Sequence, residues 1–192
     1  MIGVDEVGRG SLAGPLLVVA TRQTGELPDG LTDSKLLTRV QRETIFEPLT
    51  SNFQFGEGWV KAVEIDRLGL TGAQKLGLKR ALRSLKVNYQ DEIIMDGPIN
   101  YFSRRYKRIQ CLIDADLKVP IVSAASIYAK VLRDRFMIEL GKRHPRYGFE
   151  SHVGYATPEH LQALDRFGAL KRIHRQLFEP IYRLYELELW QN

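Results

Sequence analysis

The sequence predicts an α/β domain: a mixed sheet of five strands flanked by helices. Short apolar runs bounded by Gly, Pro and Asp recur as strands. Two long stretches carry apolar residues at helical spacing instead. The order is β-β-β-α-β-β-α. The first three strands read as an antiparallel meander, and a helix linking the third strand to the fourth makes strands one and four parallel neighbours.

Each element has its own signal. "IGVDEV" is the first strand, and "PLLVVATR" follows it across a Gly-rich turn. "ELPDGLTDSK" is loop, and Thr38 to Leu49 is a helix capped by Thr38. Phe53 to Val63 alternates as a third strand. "EIDRLGLTGAQKLGLKRALRSL" is a helix whose core stripe is Leu76, Leu78, Ala81, Leu82 and Leu85. "DEIIMDG" is a short buried strand ending at Asp96, and Tyr106 to Asp114 is the fifth strand. Pro120 to Leu140 is a long helix with proline in its first turn. Pro158 to Phe167 and Glu179 to Trp190 are two more. The last has Ile181, Leu184, Tyr185 and Leu189 as an apolar stripe to pack on the domain. The expected organisation is a core over 1–141 and a C-terminal helical extension over 142–192.

Composition narrows the class. In 192 residues, 44% are hydrophobic and 27% charged, enough to bury a sizeable core. The net charge of +5 mildly favours polyanionic partners. The single cysteine, Cys111, excludes an intramolecular disulfide, fits a reducing compartment and reads as a small buried residue. The early apolar run "LAGPLLVVA" is too short to span a membrane, and no signal peptide is visible. A cytoplasmic monomer with no membrane contact and no obligate protein partner is the expectation.

The chemistry lies in the carboxylates. Asp5 and Glu6 end the first strand and Asp96 ends the fourth. Sites in α/β sheets form at the carboxyl ends of parallel strands, so three carboxylates should meet at one edge. Asp114 and Asp116 lie just before the long helix. Clustered carboxylates repel, and without a cation some stay protonated. Oxygen-only donors suit Mg²⁺ or Mn²⁺, and no Cys/His spacing for zinc is present. Two such ions about 4 Å apart are a common arrangement for phosphodiester hydrolysis. The competing reading is plain: strand-end acids are often solvated loop residues, and Asp96-Gly97-Pro98 can be only a turn.

Six motifs decide between these readings. "GVDEVGRG", "TDSKLL", "IIMDG", "VPIVSAASIYAKVLRDR", "YGFESHVGYATPEHL" and "HRQLFEP" resemble, in order and from residue 2 to about 180, the motifs of the ribonuclease HII (type 2 ribonuclease H) family. The resemblance implies an RNase H-like fold. It implies an endonuclease that cuts the RNA strand of RNA–DNA hybrids and nicks 5′ of ribonucleotides embedded in duplex DNA. It also implies a place in ribonucleotide excision repair and DNA replication. Carried over by position, the catalytic and metal-binding set is Asp5, Glu6, Asp96 and Asp116, holding Mg²⁺ or Mn²⁺, two ions with substrate bound. Asp116 stands four residues before Pro120, as the family's aspartate does. Ala115 replaces a glycine, and Asp114 stands where the family more often has lysine.

Substrate contacts follow from the same resemblance. Gly8, Arg9 and Gly10 match the segment that contacts the ribose, where a backbone free of side chains can approach a 2′-OH. Tyr155 matches a tyrosine that stacks on the sugar of the adjoining deoxynucleotide. Lys35, Lys130, Arg133, Ser123 and Ser126 are candidates for phosphate contact. "SRRYKR", Ser103 to Arg108, reads either as a duplex contact or as a solvated loop. His144, His152, His160 and His174 are given no catalytic role. Another nuclease of the same fold, such as a junction resolvase, and a hybrid-binding module without catalysis are the rival readings. The Gly-Arg-Gly and Tyr155 motifs argue against the first, and the four aligned carboxylates against the second.

Overall fold

In the computed structural model all residues are described except Asp29, Gly30, Thr32, Asp33, Lys35 and 185–192. The chain forms two compact units, each assembled from three segments. The first comprises Met1–Val7, Leu17–Trp59 and Gln74–Leu132; the second comprises Gly8–Leu16, Val60–Ala73 and Arg133–Asn192. The boundary expected at residue 141 falls inside a helix, and the second unit also recruits two earlier segments of chain.

The first unit carries the sheet. Its strands are β1 (Ile2–Val7), β2 (Leu16–Gln23), β3 (Phe53–Val60), β4 (Glu92–Asp96) and β5 (Arg108–Leu112), in the order β3-β2-β1-β4-β5. β1 runs antiparallel to β2 and parallel to β4, and β4 runs parallel to β5. The expected parallel neighbours are therefore present.

Local chemistry explains where the elements differ from expectation. α1 (Arg39–Asn52) starts where predicted, because Thr38 and Gln41 form a reciprocal capping box, and it runs three residues beyond Leu49. β3 stops at Val60 instead of Val63: Ala62 already opens α2 (Ala62–Ser84), and the Glu64 carboxylate accepts from the Lys61 N–H. The long predicted helix is two helical stretches joined at Gly69, whose φ of 66° and ψ of 171° break the ladder. Leu78, Ala81, Leu82 and Leu85 are buried as expected, and Leu76 is half-buried. β5 is shorter than Tyr106 to Asp114. The Tyr106 N–H closes a turn onto the Ser103 carbonyl, and Asp114 takes a left-handed conformation, φ 56°, that starts the short helix α3 (Ala115–Lys118).

Helix α4 (Pro120–Arg143) lies against the sheet in the first unit. Its Ile121, Val122, Ala124, Ile127 and Val131 join Leu49, Phe53 and Ile94 in one apolar cluster. Ala125 and Ala129 join Leu17 and Val19 in another. The approach is close: a Cβ on Gly3 would lie 2.5 Å from the Ile121 carbonyl oxygen. Burying such side chains contributes about 1.5–3 kcal/mol each, the main force fixing the helix to the sheet.

The second unit is mostly helical. After a 3₁₀ turn at Pro145–Tyr147 come α5 (Phe149–His152) and α6 (Pro158–Phe167), the latter spanning the predicted residues and capped by Thr157. Met137, Tyr147, Phe149 and Ala163 pack around Ala13. Ile181 is buried with Leu12 and Leu164, and Leu184 packs on the same cluster. Residues 181–184 are helical, whereas Tyr185, Leu189 and the rest of the predicted terminal helix lie outside the described residues. Among the described residues no helix is long and apolar enough to cross a membrane.

Candidate active site

The parallel ladder aligns two acids. Val4 pairs with Met95, so Asp5 and Asp96 stand one residue beyond that pair on adjacent strands. β1 does not stop at Glu6; it continues to Val7, paired with Leu17. Asp5 is 5% exposed. It accepts a hydrogen bond from the Glu6 N–H at 2.7 Å. Burial, with the charges of Glu6 and Asp96 as further causes, holds its carboxyl well above the usual aspartate range, against the opposing effect of a hydrogen bond from Ser126. Oε2 of Glu6 is buried as well.

Ser126 links a loop to this acid. Its hydroxyl lies 2.9 Å from that of Ser34, whose carbonyl accepts from Arg42 at 2.8 Å. Ser34 is thus a described part of the "DSK" segment, whereas Lys35 lies outside the described residues.

Asp116 comes to the first unit on α3, buried at 2% exposure. Two bonds fix that turn. The Ala115 N–H donates to Asp96 Oδ1 at 2.7 Å, and the Ser123 hydroxyl donates to the Asp116 carbonyl at 2.6 Å. Ser123 therefore positions the loop of the fourth carboxylate from the first turn of α4. Asp114 is solvent-exposed and pairs with Lys118 at 3.9 Å. Lys130 on α4 is half-buried. Cys111 is half-buried, and burial raises its thiol pKa.

These residues suit a hard cation by chemistry. The donors are all carboxylate oxygens, and the repulsion that raises Asp5 is what a divalent cation relieves. Among the described residues no three acidic, imidazole or thiol groups stand as a ready-made cage.

The Gly-Arg-Gly turn belongs to the second unit. Gly8 has φ 80°, and a Cβ there would lie 2.1 Å from Nε of Arg133; Gly10 faces open space. Two buried arginines brace the segment from within. Arg175 donates to the carbonyls of Gly8 (2.6 Å), Arg9 (2.9 Å) and Gly14 (3.1 Å). Arg133 donates to the carbonyls of Pro15, Ala13 and Val153 and to the Ser11 hydroxyl. Arg133 is fully buried, with its N–H groups directed at internal oxygens, so its role in this structure is to hold backbone. Burial, then the nearby Arg133 charge, pushes Arg175 down to about 9, which leaves it protonated at neutral pH. Sequence reasoning assigned nothing to Arg175. Its only signal was its place in the "HRQLF" motif.

Tyr155 is half-buried, with the Arg133 guanidinium 5.5 Å from its ring centroid. A histidine ladder reaches its backbone. The Leu170 N–H donates to His174 Nδ1 at 2.8 Å, so His174 carries its proton on Nε2. That N–H faces His160 Nε2 at 3.1 Å, and His160 Nδ1 lies 2.9 Å from the Tyr155 carbonyl. His152 stacks on His160 with centroids 4.3 Å apart. Burial first, then neighbouring imidazole charge, pushes His174 to about 3. Burial pushes His160 to about 4.

The family model described as Ribonuclease HII matches residues 2–180. The chain is 44% identical over 177 residues to a ribonuclease HII of Campylobacter concisus, covering 92% of this chain and 91% of that one. It is 39% identical over 188 residues to a ribonuclease HII of Coxiella burnetii, covering 95% and 89%. The crystal structure of ribonuclease H2 from Pyrococcus horikoshii OT3 superposes with a TM-score of 0.79 at 28% identity, over 100% of this chain and 99% of that one.

Proposed function

This chain belongs to the ribonuclease HII family, and on that premise we propose that it hydrolyses the RNA strand of RNA–DNA hybrids and nicks duplex DNA 5′ of an embedded ribonucleotide. Water adds to the phosphorus, the P–O3′ bond breaks, and the products carry a 3′-OH and a 5′-phosphate. Asp5, Glu6, Asp96 and Asp116 are the catalytic and metal-binding set. Bound Mg²⁺ or Mn²⁺, two ions with substrate present, supplies the acidity that lowers the pKa of water and the charge that stabilises the leaving oxygen.

The observation that carries this reading is the buried Asp5, one residue beyond the Val4–Met95 pair together with Asp96 on the adjacent parallel strand, and followed directly by Glu6. Acids gathered in this way cost stability unless a cation compensates them, which is expected of a functional site more than of a solvated strand end. Ser126 and Ser123 hold the acids and their loop in place. Gly8, Arg9 and Gly10 read the ribose through backbone groups. Tyr155 stacks beside the ribonucleotide, and Lys35 and Lys130 meet phosphates. The place of action is ribonucleotide repair and replication in the cytoplasm, as a monomer.

A DNA duplex with one ribonucleotide, incubated with the protein and Mg²⁺ or Mn²⁺, is expected to be nicked on the 5′ side of that nucleotide. Asp96→Asn is expected to abolish the nick. Binding of the duplex by the wild type without cleavage would overturn the enzyme reading in favour of a hybrid-binding module.

A further inference from the structure

Besides its apolar stripe, α2 has a basic one. Lys75, Lys79 and Arg83 follow one another at intervals of four residues and are exposed on one side of the helix end, and exposed Lys86 lies in the turn just beyond Ser84. They wall a cavity of about 780 Å³, within the size range of ligand sites. The opposite wall comes from the residues before β4 and from the loop between β4 and β5. It is aromatic and also cationic.

Tyr106 meets Tyr89 and Phe102 edge-on, with centroids 5.0 and 5.7 Å away. The Arg105 guanidinium lies 5.8 Å from the Tyr89 ring centroid and donates to its hydroxyl at 3.3 Å. Tyr89 is still 45% exposed. Among the described residues no aspartate or glutamate lines the cavity. Asp91, whose charge reaches Tyr106, is held by Arg22 at 3.2 Å.

A basic helix face alone is usually a solvated surface. Here cations from two elements converge on one cavity, and an exposed ring stands among them. That combination serves phosphates and unpaired bases together. The bases of a duplex are already stacked and offer Tyr89 no face. An acidic peptide would answer the charge but leave the rings unused. We propose that this cleft binds a single-stranded segment of nucleic acid, with phosphates on the α2 cations and a base stacked on Tyr89.

The cleft is separate from the carboxylates. β4 and β5 begin side by side at Glu92 and Arg108, and the Lys107 N–H donates to the Tyr89 carbonyl at that end. Asp96 is at the other end of β4, about 13 Å of strand away. The segment bound would therefore flank the duplex being cut. Choosing nucleic acid over other polyanions rests on the proposed nuclease function.

Fluorescence anisotropy in EDTA reads binding without cleavage. A blunt duplex is compared with the same duplex bearing a single-stranded tail of about ten nucleotides, a typical single-strand site size, as DNA and as RNA. The tail is expected to tighten binding about tenfold, the scale of one stacked base. Tyr89→Ala should remove that gain and Tyr89→Phe should keep it. Lys79→Gln with Arg83→Gln should lower the salt slope for the tailed duplex by roughly 1.4, about 0.7 per cation removed. A gain with either sugar supports the cleft, the ratio naming the preferred strand. Equal binding of blunt and tailed duplexes, a gain that survives Tyr89→Ala, or equal competition by polyglutamate would overturn it. Cutting without tail binding sinks the cleft alone; tail binding without cutting sinks the nuclease reading alone.

Discussion

The Ser123 hydroxyl donates to the carbonyl oxygen of Asp116 at 2.6 Å, tying the loop of the fourth carboxylate to the first turn of α4. The bond explains how a four-residue helix, α3, can present a buried acid reproducibly. Ser123→Ala is expected to cost about 1 kcal/mol of stability in urea denaturation and to lower kcat more than it raises KM. In the same loop, Asp116→Asn should abolish cleavage and Asp114→Asn should leave most of it, because Asp114 is exposed and paired with Lys118. The reverse pattern in a cleavage assay would reassign the fourth carboxylate.

Arg175 makes a different kind of prediction. It is buried, and three carbonyls of the Gly-Arg-Gly turn and its flank depend on it. Arg175→Ala leaves those acceptors unsatisfied and should cost more than about 3 kcal/mol. Arg175→Lys cannot fork to three oxygens and should recover only part of that loss. Thermal melting of the two variants checks both statements. A melting temperature unchanged in Arg175→Ala would remove the bracing role.

The histidine ladder sets an acid limit. His160 and His174 titrate near 4 and 3 in the fold, against about 6.5 in an unfolded chain. Their folded values are depressed, so as pH falls below about 6.5 the unfolded chain binds protons first. Stability is fully present above that pH and declines toward the folded values. The loss between pH 7 and pH 5 should be on the order of 3 kcal/mol. His174→Gln removes one titrating group and should flatten the decline. An unchanged slope of unfolding free energy against pH would place the acid sensitivity elsewhere.

Asp5 predicts a trade between stability and activity. Its charge is buried beside like charges, so Asp5→Asn should raise the melting temperature in EDTA, by a few degrees for about 1 kcal/mol. The same substitution should abolish cleavage. It should also weaken the added stabilisation that Mn²⁺ gives the wild type, which reports binding to the folded state. A variant that melts lower than the wild type in EDTA would mean that the hydrogen bonds of Asp5 outweigh its repulsion.

Much of the fold was legible because it is written in local patterns. The alternating and continuous apolar runs located all five strands. Thr38 marked one helix start, since a cap is set by residues three apart, and Pro158 in the first turn marked another. Asp5, Glu6 and Asp96 could be grouped from sequence because parallel pairing follows from a strand-helix-strand order. Element ends were less legible. β5 stops at Leu112 because Asp114 turns left-handed, and α2 breaks at Gly69, where glycine adopts φ and ψ that a periodic apolar stripe does not report.

What the sequence determined alone was the five strands, the parallel pairing of the first with the fourth, and the family. Tertiary structure decided what the polar side chains do. Arg133 and Arg175 carry the same group as the exposed arginines, yet both are buried on carbonyls far away in the chain. His160 and His174 are ordinary histidines in sequence, and it is burial first, then their neighbouring imidazoles, that depresses both. Burial and the partners of a polar atom depend on long-range packing, whereas local periodicity fixes only the strand or helix on which that atom rides.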